Sequence, residues 1–518
     1  MPENNVRVLW ADDEIDLLKP HILFLQSKGY VVTAVPNGED AVALVGQERF
    51  DVVLLDEMMP GLGGLGTLAA IKEIDPSLSV IMITKSEEER LMNEALGKRI
   101  ADYLTKPVNP SQIWLALKRL TEGKRLVEGQ FTRDYVQEFN RLQQARMGPL
   151  GIDDWVEMYI RMTHLERELF TVEDQGLKQT HLDTRKEMNA DFCHWIDRAY
   201  REWCGGAERP LMSVDIVKKF VAPHMEKGKR VYLIVIDCMR LDQWYTIQPL
   251  LEPLFDIKTD CYLSILPTAT PYSRNAIFAG LWPAEIAAKF PKYWQEASND
   301  ERSKNRFEKE LLEEQVKRLK LNGPVKYSKV YHADEANNVR RELGSYSRLP
   351  LVALVFNFLD ILAHGRSDSP ILQELVPDEA AFRSLLFSWF SHSAIFDILK
   401  GIAAQDAVVV ITTDHGAVMG KRAALIYGNR DTSTNLRYKY GVNLVTDEKL
   451  ALIAKNPMDL NLPNDYLNKN YVFAKEDYYF VYPTHFHEYE RQYRNSFQHG
   501  GISLEEMILP VATLVPRR

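Results

Sequence analysis

Apolar runs that stop on an aspartate recur in both halves of this chain, and they restrict its fold more than any other feature. Near the start, VRVLW (6–10) leads into Asp12–Asp13, and DVVLLD (51–56) ends at Asp56. Further on, VYLIVID ends at Asp237, LVALVFNFLD at Asp360 and AVVVITTD at Asp414. A run apolar at successive rather than alternate positions is a strand buried on both faces, and such strands belong to parallel sheets covered by helices. The carboxyl ends of parallel strands share one edge, where open α/β sheets bind their ligands. Two α/β domains are expected, each with a cluster of acids on one sheet edge.

The 518 residues are too many for a single core. From Val6 to about Arg119, β-rich runs (6–10, 30–35, 51–56, 80–84, 101–106) alternate with helical patterns (15–27, 38–48, 64–73, 87–97, 110–120). Five such units in a row predict a doubly wound, flavodoxin-like parallel sheet. From Thr121 to Cys204 apolar residues recur at helical spacing, with breaks at Pro149–Gly151 and Glu173–Gly176. That pattern predicts a three-helix bundle acting as a spacer or dimerisation element. The turn-rich CGGAERP (204–210) precedes the second α/β pattern. The expected domains are 1–122, 123–205 and 206–518.

Composition narrows the class. Basic residues number 63 and acidic residues 72, a net charge of −9 that argues against a general binder of nucleic-acid backbones. No helix-turn-helix or basic reading segment follows the first domain, so direct promoter DNA binding is not expected. The four cysteines (Cys193, Cys204, Cys238, Cys261) form no C-x-x-C pair or disulfide framework, which points to a reducing compartment. MPENNVRVLW has no secretory pattern, and the apolar stretch Leu349–Leu359 is short of the ~20 residues that span a bilayer. A cytoplasmic protein without a membrane partner is expected.

The first acidic edge gathers Asp12, Asp13 and Asp56 beside Thr84 and Lys106, which end the fourth and fifth strands. Three carboxylates in one pocket need a hard cation, and Mg²⁺ takes oxygen ligands while keeping room for a phosphate. Lys106 is then suited to a phosphoryl oxygen and Thr84 to another. These residues resemble the receiver domain of bacterial response regulators. The resemblance implies that Asp56 accepts a phosphoryl group from a sensor histidine kinase. It further implies that Asp12, Asp13, Asp56 and the backbone carbonyl of Met58 hold Mg²⁺, and that Thr84, Tyr103 and Lys106 form the switch.

The second edge gathers Asp237, Asp360, His364 and Asp414–His415–Gly416, with His499–Gly500–Gly501 near the end and Thr270 in the turn-rich PTATPYSRN. Mixed imidazole and carboxylate donors suit Zn²⁺ or Mn²⁺. Six such donors are too many for one catalytic ion but divide into two sites of three. Two ions ~3.5–4 Å apart stabilise both the attacking and the leaving oxygen of a phosphoryl group. A hydroxyl such as Thr270 needs that help to act as a nucleophile. His485 and His487 (HFH), read as two imidazoles on one strand face, have no carboxylate at matching spacing and are taken as structural.

In this order and spacing the set resembles the alkaline phosphatase superfamily, and more closely its PglZ domains. HGGISLEEMILP (499–510) is similar to the superfamily's C-terminal signature, and AGLWP (279–283) to a run in its nucleotide phosphodiesterase branch. The resemblance implies that Asp360, His364 and His499 hold the first zinc (or manganese). Asp237, Asp414 and His415 would hold the second together with Thr270, the catalytic nucleophile. KFPKYW (289–294) lacks the asparagine with which that branch binds phosphate, leaving Ser273, Arg274 or Asn275 as substitutes. A threonine nucleophile favours diesters, of nucleotides or short and cyclic oligonucleotides. The receiver–helical–PglZ order resembles the PorX-type response regulators, which implies a phosphorylation-dependent homodimer and a link to type IX secretion. The competing reading is a non-catalytic signalling protein that contacts a sigma factor or secretion component, with structural metals.

Overall fold

Strands β1 (Val6–Ala11), β2 (Tyr30–Val35), β3 (Val52–Asp56), β4 (Ser79–Thr84) and β5 (Asp102–Thr105) form one sheet in the order β2-β1-β3-β4-β5. Every neighbouring pair is parallel. Because strand side chains alternate between faces, the uninterrupted apolar runs fill two cores at once. Leu9, Val53, Leu55 and Val80 face one, and Val8, Trp10, Leu54 and Ile81 the other. Helices α1 (Lys19–Ser27), α2 (Gly38–Val45) and α3 (Gly64–Ile74) lie where the periodicity places them. The doubly wound expectation holds.

The computed structural model describes residues 6–85, 100–169, 175–294, 305–428, 435–484 and 486–517. The helix expected over 87–97 lies outside them. The helix expected over 110–120 is the start of α4 (Pro110–Arg146), 37 residues long. No proline occurs between Thr121 and Arg146 to stop it, and its isolated glycines cost only about 1 kcal/mol each. The chain divides into two compact units, Met1–Asn140 and Arg141–Arg518.

In the second unit α5 (Ile152–Leu169) and α6 (Gln175–Cys204) complete the three-helix count of the central region, with 173 and 174 of the expected break outside the described residues. They are not a free spacer. Tyr200 accepts a hydrogen bond from the Leu266 backbone N–H (2.8 Å), Lys475 reaches Asp197 at 2.9 Å, and the Cys193 thiol donates to the Ile502 carbonyl. Trp155 packs edge-on to Phe192, fixing α5 on α6.

The main sheet of this unit contains β6 (Arg230–Ile236), β7 (Phe255–Leu263), β8 (Val325–Val330), β9 (Leu351–Phe356), β10 (Ala407–Thr412) and, after the short pair β11 (Val418–Gly420) and β12 (Ser496–Gln498), β13 (Ile508–Pro516). Its order is β7-β13-β10-β6-β9-β8. β10, β6, β9 and β8 are parallel, while β13 runs antiparallel to both of its neighbours. Register pairs Thr412 with Val235 and Ile236 with Phe356, so the aspartate-bearing ends of β10, β6 and β9 lie side by side. Tyr232, Ile234 and Ile236 fill the core on one face, and Val231, Leu233 and Val235 that on the other. His487 lies on an exposed helix (Phe486–Tyr493) rather than a strand, beside Glu490, and His485 lies outside the described residues. No helix among the described residues is long and apolar enough to cross a membrane.

Candidate metal centre and active site

At the edge of the first sheet Asp12 and Asp56 are buried, and Asp13, more exposed, brings a carboxylate oxygen into the same cluster. Lys106 bridges the two buried acids, 3.1 Å from Asp12 Oδ2 and 3.0 Å from Asp56 Oδ1. Burial raises the Asp56 carboxyl above its ordinary value, with Lys106 opposing. Burial would lower the Lys106 ammonium, but its hydrogen bonds to Asp56 and Asp12 hold it high and therefore charged. Thr84 is buried at the end of β4, and Tyr103 is paired with Met82 across the β4–β5 register. The Met58 side chain is exposed, leaving its backbone as the part able to serve this pocket.

In the second unit the loops after β6, β9 and β10 deliver the acids. Asp237 follows β6 directly, Asp360 lies in the first turn of α9 (Phe358–Asp368), and Asp414 follows β10. α9 places His364 one turn beyond Asp360, with Nε2 3.3 Å from Asp360 Oδ1. His499, just past β12, sets its Nε2 3.0 Å from that of His364 and 3.6 Å from Asp360 Oδ1. On the other side His415 Nε2 lies 3.5 Å from Asp237 Oδ1 and 3.7 Å from Asp414 Oδ2. The two triads meet where the His415 and His499 rings stack, centroids 4.0 Å apart.

The donor set fits metal ions. Asp414 Oδ2 is buried with no hydrogen-bond partner, which a cation would satisfy. Nδ1 of His415 lies 3.0 Å from the Gly416 carbonyl; donating there leaves the Nε2 lone pair aimed at the acids, as a metal-ligating imidazole requires. Burial pushes the His415 imidazole down, keeping it neutral. Burial pushes the Asp237 carboxyl up to about 8, with Arg274 opposing and Asp414 and Asp360 adding to the rise, and burial raises Asp414 too. At Asp360 the effect of burial is overcome by the hydrogen bond and charge of His364. Acids this crowded become comfortable carboxylates only beside a cation.

Thr270 is not in a loop. It is the first residue of a helix (Thr270–Ala279), and its Oγ1 lies 2.9 Å from His415 Nε2 and 3.5 Å from Asp237 Oδ1. Pro271 suits a first helical turn because its missing N–H would be unpaired there anyway. None of the three substitutes for the phosphate-binding asparagine is free for that task. Ser273 Oγ donates to the Ala269 carbonyl, Asn275 Nδ2 donates to the Pro271 carbonyl, and Arg274 is held on three sides. The Arg274 guanidinium, 2% exposed, donates to Asp237 Oδ2 (2.6 Å), Glu308 Oε1 (2.6 Å) and Asn357 Oδ1 (3.2 Å). Arg274 therefore orients Asp237, a role visible from sequence only as a lone basic residue four positions past Thr270. Glu308 and Asn357 escaped notice altogether, since no local pattern ties them to the site.

Three family models cover the chain in succession. Residues 8–118 match the response regulator receiver domain, 125–204 the PorX response regulator linker domain, and 216–514 the BREX system PglZ alkaline phosphatase-like domain. The chain belongs to the PglZ family as a PorX-type response regulator. Several curated relatives align with about a quarter of the chain. The transcriptional regulatory protein ResD of Bacillus subtilis is 30% identical over 117 residues, 23% of this chain and 48% of ResD. TcrX of Mycobacterium tuberculosis, a probable transcriptional regulatory protein, is 31% identical over 25% of this chain and 59% of TcrX. This PorX-type chain thus spans about half the length of those regulators. Protein PilH of Pseudomonas aeruginosa is 36% identical over 23% of this chain and 98% of PilH. A solved receiver domain from Clostridium thermocellum is 27% identical, covering 24% of this chain and 98% of its own, with a TM-score of 0.22. A receiver implies a phosphorelay from a histidine kinase.

Proposed function

We propose that this response regulator is a phosphorylation-controlled, two-metal phosphodiesterase acting on nucleotide or short, including cyclic, oligonucleotide diesters. The observation that carries the reading is the position of Thr270 Oγ1, 2.9 Å from His415 Nε2 at the junction of the two acid–imidazole triads. Asp360, His364 and His499 would hold one Zn²⁺ or Mn²⁺, and Asp237, Asp414, His415 and Thr270 the other. Bound there, the ions would lower the pKa of the hydroxyl and neutralise charge on the phosphoryl oxygens. Thr270 Oγ attacks phosphorus, its proton is lost to solvent, and the P–O bond to the departing alcohol breaks. Water then hydrolyses the threonine ester and frees the monoester. The chain's own contribution is orientation: Arg274 fixes Asp237, and the Gly416 carbonyl fixes the His415 ring.

The receiver over 1–122 would take the phosphoryl group on Asp56 with Mg²⁺ held by Asp12, Asp13, Asp56 and the Met58 carbonyl. Thr84, Tyr103 and Lys106 would read it out as homodimerisation. The cytoplasmic location and the link to type IX secretion, through a sigma factor or secretion component, belong to the same reading. The test is metal analysis of the purified protein, followed by a screen of nucleotide mono- and diesters with Thr270→Val as control. Turnover that survives in Thr270→Val, or protein that takes up no zinc or manganese, defeats it.

A further inference from the structure

The central helix α6 is bonded to the short helix Leu504–Met507, five residues past His499, and those bonds have no part in the chemistry described so far. Arg185 Nε donates to Glu505 Oε1 at 2.7 Å. One turn further along α6, Asn189 Nδ2 donates to Glu505 Oε2 at 2.8 Å, and Asn189 Oδ1 accepts the Leu504 backbone N–H at 2.8 Å. Glu505 is buried, and Asn189 is only 7% exposed.

Glu505 also touches the other metal-bearing turn. The Glu505 carbonyl lies so close to Gly416 that a Cβ on that glycine would come within 1.9 Å of it. The Gly416 N–H donates to the neighbouring Glu506 carbonyl, while the Gly416 carbonyl accepts from His415. The third turn joins through the same arginine. Arg185 Nη2 donates to Glu379 Oε1 (2.7 Å), and that oxygen also accepts from Arg240, three residues past Asp237 (3.0 Å). The segments that follow Asp237, His415 and His499 thus converge on one largely buried ionic cluster, which α6 joins through Arg185 and Asn189.

We propose that Arg185 and Asn189 are positioning residues for the metal centre, acting through the Glu505 carboxylate. The inference rests on the reading that the acid–imidazole cluster binds metal. Buried charges are tolerated only when every partner is in place, so the cluster forms as a unit and fixes its attached turns as it forms. Ligands held at the right separation before the ion arrives bind it more tightly than ligands that must be gathered. A shift of α6 withdraws both clamps together and loosens the two halves of the centre at once.

The test uses the full-length protein. Asn189→Leu removes one clamp without stranding a charge, and Arg185→Met with Glu505→Gln removes the Arg185–Glu505 pair while leaving Glu379 to Arg240 and Glu166 to Arg383. Arg201→Ala is the control, because it deletes an α6 hydrogen bond to the Ile453 carbonyl, a contact outside this cluster. The readouts are zinc affinity by competition with a chromogenic chelator, the melting midpoint of the metal-free protein, and kcat and KM on bis-p-nitrophenyl phosphate. Both clamp variants are expected to lose roughly tenfold to a hundredfold in zinc affinity, with kcat falling and KM nearly unchanged. Arg185→Lys is expected to recover part of the loss, and Arg201→Ala to lower the melting midpoint alone. Clamp variants that bind zinc as the wild type does overturn the inference, as does an Arg201→Ala loss of equal size. Wild type that takes up no zinc removes the metal reading and this inference with it, whereas zinc-binding wild type beside unaffected variants removes the inference alone.

Discussion

Thr270 and Arg274 stand one helical turn apart, and on the proposed reading they divide the work of the site between attack and alignment. Thr270→Val keeps the shape of the side chain and removes the hydroxyl. Turnover of a chromogenic diester is expected to fall by at least about 10³-fold while the circular-dichroism melt is unchanged. Arg274→Met should behave differently. It strands Asp237 and Glu308, both buried against the guanidinium, and is expected to cost about 3–5 kcal/mol in urea unfolding. A loss below about 1 kcal/mol would mean that the pair carries little of the local structure. His499 was placed only by the resemblance of the run that it opens. The acids and the other imidazoles were legible at this scale because each acid terminates an apolar run and His364 and His415 follow an acid within four positions. Arg274 was not, because a buried arginine reads like any other basic residue until its partners, 37 and 34 residues away, are seen.

Among the elements, those written as local patterns were the ones sequence could give. The parallel strands that carry the acids are short continuous apolar runs. The HFH run misled because alternating polar and apolar residues suit a strand, yet Phe486–Tyr493 is an exposed helix. The central helices were legible as a linking bundle, but not their attachment: Arg185 and Glu505 are 320 positions apart and no periodicity announces such a bond. This ionic cluster also sets an acid limit. Asp242 joins the cluster by accepting from Arg240 (2.6 Å) and Arg383 (2.8 Å). Burial alone would raise Asp242 and Glu379, yet Arg240 and Arg383 hold Asp242 at about 2, and Arg185 and Arg240 hold Glu379 at about 2. Carboxyls depressed in the folded state stabilise it fully above their unfolded values near 4, and that contribution disappears as pH falls toward 2. Denaturant midpoints are therefore expected to drop steeply between about pH 4 and pH 2. The double variant Asp242→Asn with Arg383→Met should flatten that slope, and a slope it leaves intact would exonerate the cluster.

At the scale of the whole molecule, a receiver and a PglZ alkaline phosphatase-like domain share one chain, and the first is expected to govern the second through Asp56. Acetyl phosphate with Mg²⁺ is expected to convert wild type to a dimer in analytical ultracentrifugation and to change the rate of diester hydrolysis. Asp56→Ala should do neither. Equal oligomeric state and equal rates in the two proteins would uncouple the domains. Chelation by dipicolinate should abolish hydrolysis in both forms, with zinc restoring it, and hydrolysis that persists without metal would separate catalysis from the acid–imidazole cluster.

β13 has a consequence for how the molecule is made. It fills the place between β7 and β10, yet it is synthesised after every other strand of that sheet. Until Ile508–Pro516 has left the ribosome, β7 lacks the neighbour that joins it to β10 and the rest of the sheet. On the proposed reading, the half of the metal centre that includes His499 is therefore among the last parts of this domain to be completed as the chain emerges.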